Sequence, residues 1–248
     1  MTIYSILPLL CSISCLLIPL FTYVKNRKSI VNFTFFLEGL SVFMWLFGYF
    51  MMYSTKDVTL ALRCAKFVYT GVIFIPVFFY HFMSAYLELR GDKKKIIISY
   101  LIGIIFLIFL YTTNFIVKGV YKYYWGYQTQ VGFLHNFYLL FLFGLCFVTF
   151  FRMVNYYKKL RTEHSTIKYN QIKYLFVGFF IAWFGSFPDF LPNYGVEIYP
   201  LGCIAIFIFM LIVSYAIATY RLMDIKIAFT RAGLFAIVYT LVLGIPFA

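Results

Sequence analysis

The chain has 248 residues and a mass of 29.3 kDa, and its composition excludes an ordinary water-soluble protein. Hydrophobic residues make up 64% of it and charged residues 12%, against roughly 45–50% and about 25% in soluble domains. Phe, Tyr and Trp reach 24%, which is too much apolar surface for a disordered chain to keep in water. A net charge of +13 would suggest nucleic-acid binding in a soluble protein. In a membrane protein, basic residues next to apolar spans instead determine the orientation of the helices in the bilayer. We therefore expect no nucleic-acid partner.

Eight hydrophobic segments follow one another along the chain. Seven have the length of about 20 residues that an α-helix needs to cross the hydrocarbon core. They cover residues 4–24, 31–53, 61–89, 96–114, 134–156, 172–191 and 200–220. The eighth starts at Ala232 and runs to Ala248, the last residue given, where we expect it to be truncated. The pattern predicts an all-α integral membrane protein: a seven-transmembrane bundle as a sensor domain over 1–225, and over 226–248 a cytoplasmic connector with the start of a truncated eighth helix.

The basic residues are divided unequally between the two sides of the predicted bundle. Of the 21 Lys and Arg residues, 16 lie in the stretches 25–28, 90–95, 152–173 and 221–231, and 5 lie on the other side. The positive-inside rule then places the N-terminus outside and the end of helix seven in the cytoplasm. We expect a multi-pass protein of the cell's inner (cytoplasmic) membrane, with the basic loops against anionic lipids of the cytoplasmic side.

Ionisable residues inside apolar spans are costly, so each is a candidate ligand-binding or switch residue. Six polar residues of the third segment fall within an arc of about 60° of a helix, and this stripe is expected to face the bundle. They are Arg63, Lys66, Thr70, His81, Ser84 and Glu88. His81 lies deepest, either packed against a neighbouring helix by a hydrogen bond or as a proton or ligand site. Glu38 shares a face with Ser41 and Trp45, and is either paired with a basic group or neutral.

Two features of the outer side also supply candidates. Pro188, Pro192 and Gly195 must break helix six there, so Asp189 between them either lines an outward-facing cavity or caps local backbone. The loop between helices four and five is crowded with aromatic residues: Tyr121, Tyr123, Tyr124, Trp125 and Tyr127. These rings form either a ligand platform, with Tyr124 and Trp125 as candidates, or an interfacial belt.

The sequence contains no motif that would indicate catalysis. It has no His-Glu-x-x-His helix, no Gly-x-Ser-x-Gly elbow and no glycine-rich phosphate loop. Its five cysteines are scattered, without a Cys-x-x-Cys pair. We therefore assign no catalytic residue, no metal site and no cofactor. A disulfide between Cys64 and Cys203, both near the outer ends of their helices, remains open.

Two stretches of the chain carry a recognisable residue pattern. The first contains Trp45, Gly48, Ala65, Lys66, Tyr69, Gly71, Pro76, Phe79, Phe82 and Tyr86. The second contains Gln171, Tyr174, Gly178, Gly185, Pro188, Asp189, Leu191, Pro192, Gly195, Tyr199, Pro200, Leu201, Gly202, Tyr215, Ala216, Ile217, Tyr220, Arg221, Leu222, Asp224 and Ile225. The pattern resembles the seven-transmembrane N-terminal sensor region of bacterial histidine kinases and related signalling proteins. The hydrophobic segment after Arg231 departs from it.

The resemblance implies a receptor that passes an extracellular or intramembrane stimulus to a cytoplasmic output such as a kinase. Helices six and seven would be the moving element, and Tyr220, Arg221 and Asp224 would mark the exit of the signal. An unidentified small-molecule ligand and a homodimer are the expected partners. Two alternatives remain: a small-solute transporter or channel subunit, and an intramembrane enzyme, which would need Glu38, His81 and Asp189 to form one cluster.

Overall fold

Seven helices follow the seven predicted apolar segments in a computed structural model that describes residues 2–162 and 166–220. They are α1 Ile3–Lys25, α2 Ile30–Ser54, α3 Val58–Tyr86, α4 Lys93–Thr112, α5 Leu134–Thr162, α6 Thr166–Ser186 and α7 Gly202–Tyr220. The first six are long and apolar enough to cross a membrane, and the described apolar part of α7, Gly202–Val213, is shorter. The prediction of a seven-helix membrane bundle is confirmed.

Capping side chains and prolines set several helix ends. Ser29 accepts a hydrogen bond from the Asn32 backbone N–H at the start of α2, and Asp57 accepts one from Thr59 at the start of α3. The predicted break at the prolines is confirmed, but α6 already ends at Ser186 and not at residue 191, and the chain continues as a 3₁₀ helix over Phe187–Tyr194. Gly195 ends that turn with a φ of 95°, which a residue with a side chain adopts only at a cost.

The loop between α4 and α5 contains a β-hairpin, which the sequence pattern did not predict. Strand β1 covers Val117–Tyr123 and pairs antiparallel with β2, Gly126–Val131, across a two-residue turn. Gly126 has a φ of 138°, and a Cβ there would lie 2.7 Å from the Cα of Tyr53. Glycine is therefore required where the hairpin rests on the end of α2.

Hydrogen bonds bring the hairpin to the same end of the bundle as the start of α1 and the end of α2. The Thr2 hydroxyl donates to the Tyr53 carbonyl over 3.1 Å, and the Tyr127 hydroxyl donates to the Lys56 carbonyl over 3.1 Å. We call this the hairpin end. At the opposite, basic end, Arg152 of α5 forms a 2.8 Å ion pair with the buried Asp92, which Lys95 also contacts at 3.3 Å. The helices thus alternate in direction as the predicted topology requires.

Close packing of α1, α2 and α3 builds one side of the bundle, and α4 lies at its edge. A Cβ at Gly71 of α3 would lie 2.9 Å from both the Met44 Cβ and the Trp45 nitrogen of α2, so the two backbones approach as closely as a glycine allows. In contrast, α4 exposes a row of large aliphatic side chains, including Ile97, Leu101 and Ile108. This row is the surface expected of a helix that faces lipid.

Part of the predicted signal exit lies outside the described residues. The structure does not describe Arg221 or Asp224, and of Tyr220 it describes only the backbone. The segment 226–248 also lies outside the described residues. The prediction of an eighth helix and of a connector therefore stays a prediction.

Candidate ligand-binding site

A cavity of about 120 Å³ lies in the centre of the bundle, between α2, α3, α5, α6 and α7. Its wall is mostly aromatic and aliphatic and includes Trp45, Tyr69, Phe79, Tyr138, Phe179, Trp183, Ile206 and Phe209. Along α2 it extends from Glu38 to Tyr49, which is roughly 16 Å at the rise of an α-helix. The cavity therefore reaches from the basic half of the bundle to a layer directly beneath the hairpin.

Glu38 lies in the wall of this cavity toward the basic end. Its side chain is 4% exposed, and its Oε2 has no hydrogen-bond partner among the described residues. Ser41 and Trp45 are buried on the same helix face, as predicted. Of the two states expected for Glu38, the ion-paired one is not found in the described part of the chain. A carboxyl group in such apolar surroundings is held at lower cost as the neutral acid.

Asp189 also lines the cavity, and it joins the cavity to the start of α7. Its carboxyl oxygens accept the backbone N–H of Gly202 over 2.9 and 3.1 Å. An acceptor at this position satisfies an N–H that the helix itself cannot pair. Asp189 thus caps local backbone, as one of the two interpretations expected. It also lines a cavity, but this cavity lies inside the bundle and is not the outward-facing one of the other interpretation.

A buried polar layer closes the cavity at the hairpin end. Gln128 of β2 is fully buried, and its amide nitrogen donates to the Tyr49 hydroxyl over 3.1 Å and to the Asn193 Oδ1 over 2.8 Å. The Gln128 Oε1 accepts a hydrogen bond from the Tyr53 hydroxyl over 3.1 Å. Because Tyr49 and Asn193 both line the cavity, Gln128 ties the hairpin to the cavity roof.

The polar layer continues as a hydrogen-bond chain into α3 and α5. Asn193 Nδ2 donates to the Tyr69 hydroxyl over 3.3 Å, which lies 3.0 Å from His135 Nε2. His135 Nδ1 lies 2.8 Å from the Tyr194 hydroxyl, and that hydroxyl donates to Asn136 over 2.6 Å. Since Tyr194 donates onward, it must accept from His135, so the network assigns the imidazole proton to Nδ1. Every member of the chain then donates in the same direction.

The aromatic loop candidates divide into a buried and an exposed residue. Trp125 is 0% exposed and packs against Tyr123, Tyr124 and Tyr199 at centroid distances of 4.6, 4.6 and 5.7 Å. The prediction that its ring forms an open ligand platform or an interfacial belt is therefore wrong, because it fills the core beneath the hairpin turn. Tyr124 is 64% exposed and is compatible with either role. Burial raises the pKa of the Tyr199 phenol, which stays a neutral donor to the Tyr4 carbonyl.

His81 and its polar stripe lie outside the cavity. His81 Nδ1 is 2.9 Å from the Tyr100 hydroxyl of α4, so the predicted hydrogen bond to a neighbouring helix is confirmed. Thr70 pairs in the same way with Tyr111. Thr70 and His81 of the predicted stripe thus face α4 at the edge of the bundle. Glu88 does not belong to the stripe, because α3 ends at Tyr86. Glu38, His81 and Asp189 do not form the single cluster that an intramembrane enzyme would need.

Aromatic rings of α5 pack against Trp183 and Phe187, which line the cavity. Phe143 of α5 lies 6.2 Å from Trp183 and 5.8 Å from Phe187 between ring centroids, and Phe147 lies 5.8 Å from Trp183. Phe187 is 51% exposed, and Trp183 and Cys146 are partly exposed. Here side chains that line the cavity are also exposed at the outer surface of the bundle.

The cysteines do not form the disulfide that was left open. All five are free thiols, and Cys203 lies beside Cys11 of α1. In the described ranges, no group of three His, Cys, Asp or Glu side chains is placed to hold a metal ion.

Several residues of the site were not identified from the sequence. Tyr49 continues the helix face of Glu38, Ser41 and Trp45 by another turn, so the same spacing could have found it. Gln128 and His135 gave no such signal, because they lie in a short strand and at the first turn of α5. Their importance comes from tertiary contacts alone.

Comparison with known proteins gives one family match. The model of the family described as the N-terminal 7TM region of histidine kinase matches residues 8–226. No curated protein and no solved structure matches the chain significantly. The match confirms the resemblance carried by the two sequence stretches, and it supports a sensor over a transporter or channel.

Proposed function

The chain belongs to the family of N-terminal seven-transmembrane regions of histidine kinases, and we propose that its central cavity binds the stimulus. The chain is thus the membrane-embedded sensor region of a signalling protein. The output is then a cytoplasmic histidine kinase, and the protein resides in the inner membrane with its hairpin end outside. A homodimer and contacts of the basic end with anionic lipids belong to the same proposal.

The observation that carries the proposal is the double role of Asp189. Its carboxyl group forms part of the cavity wall and also accepts the first backbone N–H of α7. A molecule in the cavity that displaces or reorients this carboxyl group changes how the start of α7 is held. A ligand can shift a conformational equilibrium only through such a difference in interactions between two states.

Two helices carry the change toward the basic end. α6 and α7 pack side by side, with Gly178 of α6 against Phe209 and Gly185 against Ala205 of α7. Displacement of the α7 start relative to α6 is then transmitted along α7 as a rigid element. The exit lies at its far end, where Tyr220, Arg221 and Asp224 are the predicted residues.

Filling the cavity tests the proposal without knowledge of the stimulus. Ala182→Phe and Cys146→Phe each place a ring in the cavity from a different helix, and Val177→Phe adds the same ring to the exposed side of α6. In the full-length protein in vesicles, we expect both filling variants to change basal autophosphorylation by threefold or more in the same direction. Val177→Phe should leave it unchanged. Equal activity of all three variants and the native protein would contradict the proposal.

A further inference from the structure

Two unpartnered polar atoms in the cavity wall define the chemistry of a ligand. Glu38 Oε2 and Trp183 Nε1 are both buried, and neither has a hydrogen-bond partner among the described residues. Buried polar groups in native proteins are nearly always paired with protein, water or ligand atoms. A molecule that pairs with Glu38 removes one of these exceptions, and an acceptor on the same molecule or a water can reach Trp183.

The charges of the cavity wall exclude one class of ligand. Glu38 and Asp189 are its two carboxylic acids, and the described lining contains no Lys, Arg or His. An anionic molecule would meet carboxyl groups in a medium of low dielectric constant, without a cation to compensate it. A neutral hydroxyl group, which can donate to and accept from the neutral Glu38, suits the site, as does an amine that takes the proton of Glu38 and pairs with it as a cation.

The size and lining of the cavity limit the rest of the molecule. A volume of about 120 Å³ compares with ~150 Å³ for an engineered apolar cavity that binds benzene in another protein. Rings such as Trp45, Phe79 and Phe179 form the wall. They favour one aromatic ring or a short alkyl chain over a sugar, a peptide or a full lipid.

The routes to the cavity indicate where this molecule comes from. At the hairpin end, the buried Gln128, Tyr49 and Asn193 are joined by hydrogen bonds and close the roof. On the α5–α6 side, the partly exposed Trp183 and the half-exposed Phe187 separate the cavity from the surface that faces lipid. Ring rotation opens such a wall without breaking a hydrogen bond, so the bilayer is the easier route.

We propose that the cavity binds a small aromatic or short-alkyl molecule that is dissolved in the bilayer and carries a hydroxyl or amine group that pairs with Glu38. This inference rests on the proposed function of the cavity and adds the chemical class of the ligand. The molecule reaches the site between α5 and α6.

Four probes that share one ring test the headgroup. They are benzyl alcohol, benzylamine, toluene and benzoate, titrated against the full-length protein in vesicles, with concentrations corrected for partition into protein-free vesicles. Trp45 and Trp183 line the cavity and report binding by their fluorescence. We expect the alcohol and the amine to bind at least tenfold more tightly than toluene and benzoate. Equal binding of benzyl alcohol and toluene, or preferential binding of benzoate, would overturn the inference.

Substitutions at Glu38 test the pairing. Glu38→Leu removes the hydrogen-bonding group and should abolish the difference between benzyl alcohol and toluene. Glu38→Gln keeps a hydrogen-bonding group and should retain that difference. Glu197→Gln changes an exposed acid outside the cavity and serves as the control. If Glu38→Leu keeps the native preference for benzyl alcohol, Glu38 is not the partner and the inference fails.

Association rates test the route, and kinase activity separates the two proposals. Phe187→Ala should speed the binding of benzyl alcohol several-fold, and Gln128→Ala should not; the reverse result would refute access from the bilayer. If no probe binds while Ala182→Phe still alters autophosphorylation, the ligand class is wrong and the proposed function stands. If benzyl alcohol binds but neither it nor Ala182→Phe alters autophosphorylation, the proposed function is wrong.

Discussion

Gly202→Ala is expected to release the start of α7 from Asp189. A Cβ at Gly202 would collide with the Asp189 carboxyl group, whose Cγ would be 2.7 Å away, and would lie 2.9 Å from the Cα of Ser186. The second contact is with backbone, which cannot move aside as a flexible side chain can. The variant must therefore shift Asp189, the end of α6 or the start of α7.

The expected cost follows from the bond that is lost. An unpaired buried backbone N–H costs about 1–3 kcal/mol, and loss of a helix N-cap costs about 0.5–2 kcal/mol. These figures describe the same event and are not added, so we expect a loss of about 2 kcal/mol in the free energy of unfolding. For a protein of this size such a loss lowers the Tm by roughly 4–8 °C.

Thermal unfolding of the purified protein in detergent measures this effect. Gly144→Ala is the matched control, because a Cβ at Gly144 of α5 meets nothing within 4 Å. The control should unfold at the native temperature or slightly above it, since alanine favours helix more than glycine does. Equal Tm values for the two variants would refute the argument that the bond between Asp189 and Gly202 stabilises the junction of α6 and α7.

Three further predictions concern the roof, the basic end and the topology. Gln128→Leu removes one hydrogen-bond partner each from the Tyr49 and Tyr53 hydroxyls and from Asn193 Oδ1, so we expect faster hydrogen exchange throughout the hairpin; unchanged exchange would mean that Gln128 does not hold it. Arg152→Ala leaves Asp92 buried beside the partly exposed Lys95, and we expect a lower Tm that an additional Asp92→Asn substitution partly restores; a further fall in the double variant would contradict this. A cysteine at Lys122 should react with an impermeant thiol reagent in intact cells and one at Lys94 should not, and the opposite pattern would invert the topology.

The number and order of the helices could be predicted because both depend on local properties. An apolar stretch of about 20 residues has few stable alternatives in a membrane. The end of α6 was likewise predictable, because Pro188 and Pro192 restrict the backbone wherever they lie. The hairpin was missed because its first strand, Val117–Tyr123, has Lys118, Gly119 and Lys122 among its apolar residues. Its position depends on the contact between Gly126 and Tyr53, which are far apart in sequence.

The candidate site could be predicted only in part, for a related reason. Glu38 and Asp189 were identified because an acid in an apolar segment is unusual whatever its neighbours are. Their common cavity was not predicted, since their positions along the helices place them at different depths and only the packed bundle joins them. Trp125 was misassigned because an aromatic residue in a loop gives no sign of which residues cover it, and here Tyr199 comes from a distant segment.

The common donor direction in the chain from Gln128 to Asn136 has a spectroscopic consequence. His135 keeps its proton on Nδ1 as long as Tyr69 donates to its Nε2. Lifting the hairpin takes Gln128 away from Asn193, so that the amide of Asn193 can rotate and the Tyr69 hydroxyl can turn toward another acceptor. The imidazole is then released from its single tautomer. Nitrogen-15 chemical shifts distinguish the two tautomers. The shifts of His135 therefore report whether the hairpin is packed against the helix bundle.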